Sequence, residues 1–278
     1  MAEGFPPHPE RRPAFVTGAS SGIGAAIAAA LAGAGFPVAL GARRVDRLEE
    51  LASRINETGG QAVAVPVDVT DDNSVLSALE SARESIGDIE VLVSNAGTLI
   101  PAEPDSPDTN SFFAQIDLNL GGAQRMVSGV LAAMIARQRG DIVLVSSENS
   151  IHPRPLVGAY NAAKAGLESY GRTLQMELEG TGVRASIVRP GPTQTELGWD
   201  WDPEVIDRTL GEWKRWGLLR HFTFLGADSI ARAVLEVVCA PRGTHLSLVE
   251  VNPEAPIRKR IETDKADVPS EQGQGGKN

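Results

Sequence analysis

The stretch Thr17-Gly18-Ala19-Ser20-Ser21-Gly22-Ile23-Gly24 decides the fold. A short β-rich run, residues 13–17, leads into it, and an alanine-rich helical pattern over 22–34 leads out. A strand, a glycine turn and a helix N-terminus in succession make an anion site. The glycines let the backbone come close to a pyrophosphate, and free N–H groups with the helix dipole favour its charge. The spacing predicts a dinucleotide-binding turn built from Gly18, Ser20, Ser21, Gly22, Ile23 and Gly24.

Outward from this turn the pattern alternates. β-rich runs fall at 13–17, 38–42, 62–67, 91–94, 142–146, 185–189 and 245–249, separated by helical patterns at 22–34, 45–58, 72–86, 108–139, 159–180 and 227–240. Strand alternating with helix implies a parallel sheet covered on both faces, and right-handed crossovers then give a doubly wound, Rossmann-like α/β sheet of seven strands in a single domain. Residues 1–12 read as a flexible lead-in, 13–257 as the folded domain, and the polar, glycine-rich 258–278 as a disordered tail. One segment breaks the alternation. Residues 199–224 hold all four tryptophans of the chain, Trp199, Trp201, Trp213 and Trp216, together with Phe222 and Phe224. In open α/β sheets this segment emerges where ligands bind, so it reads as a lid over a substrate.

Composition removes several classes of function. A formal net charge of −10 disfavours phosphate backbones, so nucleic acid is not an expected partner. No apolar run reaches transmembrane length, and the start MAEGFPPHPERRP lacks a signal peptide's apolar stretch. The lone Cys239 fits a reducing cytoplasm and reads as a small buried hydrophobe. No histidine has metal-ligand spacing, so no metal is expected.

The end of the second strand selects the coenzyme. An NAD site wants an acid there for the ribose hydroxyls. This chain has Ala42 followed by Arg43 and Arg44, and guanidinium groups bind a 2′-phosphate bidentately. NADP(H) is therefore expected over NAD(H), with Arg43 the stronger candidate.

With these residues in hand, the chain resembles the short-chain dehydrogenase/reductase family, of the compact single-domain type, over about residues 13–253. Thr17–Gly24 is similar to its TGxxxGxG turn, and Asp68 and Val69 fall where the family contacts adenine. Asn95-Ala96-Gly97 resembles its NAG motif. Tyr160-Asn161-Ala162-Ala163-Lys164 resembles YxxxK, with Ser147 thirteen residues earlier and Asn119 at the place of the active-site asparagine. Pro190, Gly191, Thr193 and Thr195 resemble the motif that closes over the nicotinamide. The resemblance implies Tyr160 as acid/base, Ser147 as a hydrogen-bond donor to the substrate oxygen, Lys164 on the nicotinamide ribose and Asn119 on a water that links Lys164 to solvent. Read from the residues, Asn119 has an alternative as a helix-bending polar group.

The pairing of Tyr160 with Lys164 has a physical reason. Four apart on a helix, they share a face. A free phenol titrates near pH 10, and a close ammonium is expected to lower that value. Ser146 points to the other side of the extended chain and reads as structural. Glu148 departs from the small apolar residue common at this position in the family, and either lines the pocket or is solvated. The substrate side is assigned to Ser147, Glu148, Tyr160, Trp199, Trp213 and Trp216. The expected activity interconverts a bulky apolar ketone and its secondary alcohol. An NAD-dependent alcohol dehydrogenase and a non-catalytic nucleotide sensor are the alternatives, and a methyltransferase would leave Tyr160, Lys164 and Arg43 without purpose. Small residues along 108–139 and 159–180, with the family's habit of pairing these helices, point to a homodimer or homotetramer.

Overall fold

The central strands form from apolar runs that alternate with nothing, because both of their faces are covered. A computed structural model describes His8 and residues 12–196, 201–219 and 221–257. Its strands are β1 Ala14–Thr17, β2 Pro37–Ala42, β3 Gln61–Pro66, β4 Val91–Ser94, β5 Gly140–Val145, β6 Val183–Pro190 and β7 Leu248–Val251. They form one sheet in the order β3-β2-β1-β4-β5-β6-β7, with every neighbouring pair parallel. The helices are α1 Gly22–Gly33, α2 Val45–Glu57, α3 Asp72–Ile86, α4 Thr109–Ile116, α5 Gly122–Ala136, α6 Gly158–Glu177, α7 Pro203–Arg215 and α8 Ala227–Cys239. Ile27, Leu48 and Val234 of α1, α2 and α8 cover one face of the sheet, and Ala78, Met126 and Leu167 of α3, α5 and α6 the other.

Several expectations shift. The helix expected over 108–139 is α4, a π-helical turn at Asp117–Gly121 and α5. The last strand lies three residues beyond its expected start, at Leu248 instead of 245. The aromatic segment holds a helix, α7, whose start follows from Asp202 and Pro203: the Asp202 side chain accepts from the Glu204 N–H at 2.8 Å and proline takes the first turn. Cys239 is exposed and not buried, because α8 turns Ile230, Val234 and Val238 to the core and position 239 away.

Arg12, read with the flexible lead-in, is packed. It pairs with Asp141 on β5 and donates to the Val238 carbonyl at 2.7 Å. Arg184 on β6 grips the same carboxylate, Nε to Oδ1 at 2.6 Å and Nη2 to Oδ2 at 3.0 Å. Removing one partner from such a buried cluster strands the others without compensation. Asp141→Ala is expected to cost about 3–5 kcal/mol, read as a lower urea midpoint with an unchanged slope.

Candidate active site

The carboxyl ends of β1, β2, β4 and β5 open on one cleft of about 860 Å³. At its outer end stands the glycine turn. A Cβ on Gly24 would fall 2.2 Å from the Gly18 carbonyl oxygen, so glycine is required for the turn to close on the helix. Ser21 makes no side-chain capping bond, which leaves the first N–H groups of α1 to a ligand. Gly18, Ser20, Ser21, Gly22 and Ile23 line this end with Arg43, Arg44 and Arg47. Asp68 and Val69 form its side. The hydroxyl and the N–H of Thr70 donate to the Asp68 carboxylate and hold it below the usual range. Asn95, Ala96 and Gly97 form the floor, and Thr195 reaches in after β6.

At the inner end the cleft meets Tyr160 and Lys164, both buried on α6. Lys164 Nζ donates to the Val145 carbonyl at 2.9 Å and lies 5.7 Å from the centroid of the Tyr160 ring. Burial pulls the lysine down to about 8. Tyr160 departs from expectation. Its phenol is pushed up, not down, because burial outweighs a hydrogen bond with the Ser147 side chain and the nearby Arg154 charge, while Glu148 adds to the rise. The Lys164 ammonium, which donates to the Val145 carbonyl, does not offset that rise. At neutral pH the phenol therefore holds its proton.

Asn119 is 1% exposed in the π-helical turn. Its Nδ2 donates to the Gln115 carbonyl, the i−4 group, at 2.8 Å and to the Thr98 carbonyl at 2.8 Å, and its Oδ1 accepts from the Thr98 N–H at 3.1 Å. A side chain inserted into the helix ladder opens the extra residue of the turn. Asn119 thus bends the helix and also lines the cleft. A Cβ on Gly97 would stand 2.6 Å from Asn119 Oδ1 and 3.7 Å from Lys164 Nζ, so only glycine lets these three meet.

The sequence profile of the short chain dehydrogenases matches residues 12–205. The chain belongs to the short-chain dehydrogenase/reductase family. It is an oxidoreductase acting between CH–OH and C=O with NAD(P). It is 33% identical over 241 residues, 86% of its length, to the glycine betaine reductase of Emericella nidulans, of whose length it spans 18%. It is 33% identical to the 2,3-dihydro-2,3-dihydroxybenzoate dehydrogenase of Bacillus subtilis, covering 86% of this chain and 93% of that one. The alcohol dehydrogenase of Thermococcus sibiricus, solved with 5-hydroxy-NADP, superposes with a TM-score of 0.75 at 30% identity, covering 90% of this chain and all of that one.

Other assigned residues of this dehydrogenase/reductase fall outside the cleft lining. Pro190 ends β6, Gly191 donates to the Val251 carbonyl at 2.8 Å, and Thr193 donates to the Gly191 carbonyl at 2.9 Å. Trp213 packs behind Tyr160 with Leu99 and Val157 and donates from Nε1 to the Pro155 carbonyl at 2.9 Å. Trp216 caps α7 at 65% exposure, and among the described residues the tryptophan that lines the cleft is Trp201. Trp199 lies outside the described residues. Glu148 neither lines the cleft nor faces solvent: it is paired with Arg154, whose guanidinium stacks on Trp213 at 4.9 Å.

Sequence reasoning missed Arg154, Asn161, Glu168, Arg47 and Glu196. Asn161 accepts from Asn149 at 2.9 Å and donates to the Arg154 carbonyl at 2.8 Å, fixing the loop that carries Ser147. Glu168 accepts from Ser146 at 2.9 Å and from Arg189 at 2.8 and 2.6 Å. Burial alone would raise this carboxyl, but Arg189, Ser150 and Ser146 together hold it low. The spacing 160, 164, 168 puts all three ionisable groups on one helix face, and that signal was available.

The two charges beside Tyr160 act on its phenol with opposite sign. Glu148→Gln leaves Arg154 uncompensated and should bring phenolate absorbance in at lower pH, while Arg154→Gln should delay it. Ultraviolet titration reads this directly, since Tyr170 is the one other tyrosine. Displacement of both variants in the same direction would show that the pair only packs.

Proposed function

We propose that this oxidoreductase uses NADP(H) to interconvert a bulky apolar ketone and its secondary alcohol, with Tyr160 as acid/base. The observation that carries the reading is one continuous cleft joining an arginine-flanked glycine turn to a buried, proton-holding Tyr160 beside Ser147 and Lys164.

The cleft fits the coenzyme. Uncapped N–H groups of α1 suit a pyrophosphate, and Arg43 and Arg44 suit a 2′-phosphate. The NADP derivative bound by the Thermococcus enzyme supports the same choice. When bound, the nicotinamide supplies or takes up the hydride. Tyr160 gives its proton to the carbonyl oxygen in reduction and recovers it in oxidation. Ser147 steadies the same oxygen as charge develops on it. Lys164, whose Nζ lies 5.7 Å from the centre of the Tyr160 ring, is the amine that, at about 8, exchanges protons near neutrality, and Asn119 meets it at Gly97. Leu99, Ile100, Leu118, Trp201 and Val205 give the substrate end an apolar wall. Phe113 and Met176, exposed on α4 and α6, support self-association.

Tyr160→Phe is expected to lower kcat by roughly 100- to 10,000-fold while NADPH fluorescence still reports binding. Retention of most of the turnover would remove the proton-transfer role. Trp201→Ala should raise KM for large ketones several-fold more than for small ones, and Trp216→Ala should leave both unchanged. Equal effects of the Trp201 variant on both sizes would argue against a bulky substrate.

A further inference from the structure

At the coenzyme end, an anion of the chain itself sits on two guanidinium groups. The Glu196 carboxylate accepts from Arg47 Nη1 at 2.7 and 2.9 Å and from Arg44 Nη1 at 3.3 Å. Arg44 is steadied from the other side, where its Nε and Nη2 donate to Ser20 Oγ at 3.1 and 2.8 Å and its Nη2 to Ser21 Oγ at 2.7 Å. All five side chains belong to residues lining the cleft. Glu196 arrives from the segment after β6, far along the chain, and its neighbour Thr195 lies 3.3 Å from where a Cβ on Gly22 would stand. The carboxylate is thus laid across the mouth of the glycine turn, and the arginines hold it below the usual range.

We propose that Glu196 is a specificity-determining residue, its carboxylate holding the Arg44–Arg47 pair in the place of a coenzyme 2′-phosphate, so that a phosphorylated coenzyme binds by exchange with it. The proposal rests on the NADP(H) reading and adds to it a competitor built into the chain. A phosphate monoester carries close to two charges and three acceptor oxygens, against one charge and two oxygens on the carboxylate. Guanidinium forks accept either group. Ion pairs this exposed are individually weak, so the phosphate displaces the carboxylate, but it must first break those contacts. Glu196 therefore lowers affinity for the phosphorylated coenzyme. A coenzyme without the phosphate has nothing to exchange and leaves the ion pairs in place. The ratio of the two affinities is set by residue 196 together with the arginines.

The test is calorimetric binding of 2′,5′-ADP and of 5′-ADP to the full chain, as wild type, Glu196→Gln and Arg47→Gln, with thermal melting to verify folding. Glu196→Gln is expected to bind 2′,5′-ADP about three- to tenfold more tightly, with 5′-ADP changed less than about twofold. Arg47→Gln is expected to weaken 2′,5′-ADP by about the same factor. Unchanged or weaker binding of 2′,5′-ADP by Glu196→Gln would overturn the proposal. If wild type prefers 2′,5′-ADP and the glutamine variant does not improve on it, the competitor fails and the NADP(H) reading stands. If wild type prefers 5′-ADP and the variant reverses that order, the competitor stands and the NADP(H) reading fails.

Discussion

Thr17 and Asn95 hold the two halves of the site together. The Thr17 hydroxyl accepts from the N–H groups of Asn95 and Ala96 at 2.9 and 3.0 Å, and Asn95 Nδ2 returns a bond to the Thr17 carbonyl at 3.0 Å. These contacts pin the ends of β1 and β4, the neighbouring strands from which the chain departs to opposite faces of the sheet. Where connections diverge in this way, no backbone covers the strand ends, and the crevice left behind admits a ligand. The pin keeps the crevice from spreading at the point where the glycine turn and the floor of the cleft meet.

Ionised groups near Tyr160 are each stabilised differently. Glu168 is enclosed by Arg189 and two serine hydroxyls, so its charge is fully compensated and the loop bearing Ser147 gains a rigid backing. Lys164 donates to the neutral Val145 carbonyl, with no carboxylate to compensate its charge among the contacts of the described residues, and burial weakens its hold on the proton. Compensation gives a fixed charge, and partial compensation gives a group that can change its charge at working pH. The two sit four residues apart on α6, one serving architecture and the other available for proton exchange.

The sheet and most of its helices were legible in the sequence, because unbroken apolar runs mark the central strands and amphipathic periodicity marks the helices. Tyr160, Lys164 and Ser147 could be singled out because the resemblance to the short-chain dehydrogenases covers them; spacing alone would leave a tyrosine and a lysine on a helix surface. Glu148 could be singled out but not explained, since its partner Arg154 and the Trp213 ring beneath that partner come from other elements. Arg47 and Glu196 look like ordinary surface charges until the fold brings residues 149 positions apart into contact. Asn119 was singled out as either an active-site or a helix-bending residue, and only the fold, where its side chain reaches Gln115 and Thr98 together and also lines the cleft, joins the two. Tyr160 was misjudged for a related reason: charge proximity could be read from spacing, but burial could not.

The π-helical turn gives residues 117 to 121 a reserve of chain, held open by the Asn119 side chain. It accommodates one residue beyond a regular helical turn. Deleting one position there would let the chain close to regular winding, with the helix on either side keeping its register. Met126, Val130 and Met134 would stay against the sheet they now cover. An alignment gap in this turn would therefore mark a chain whose helix docks as this one does but no longer carries an extra residue into the cleft.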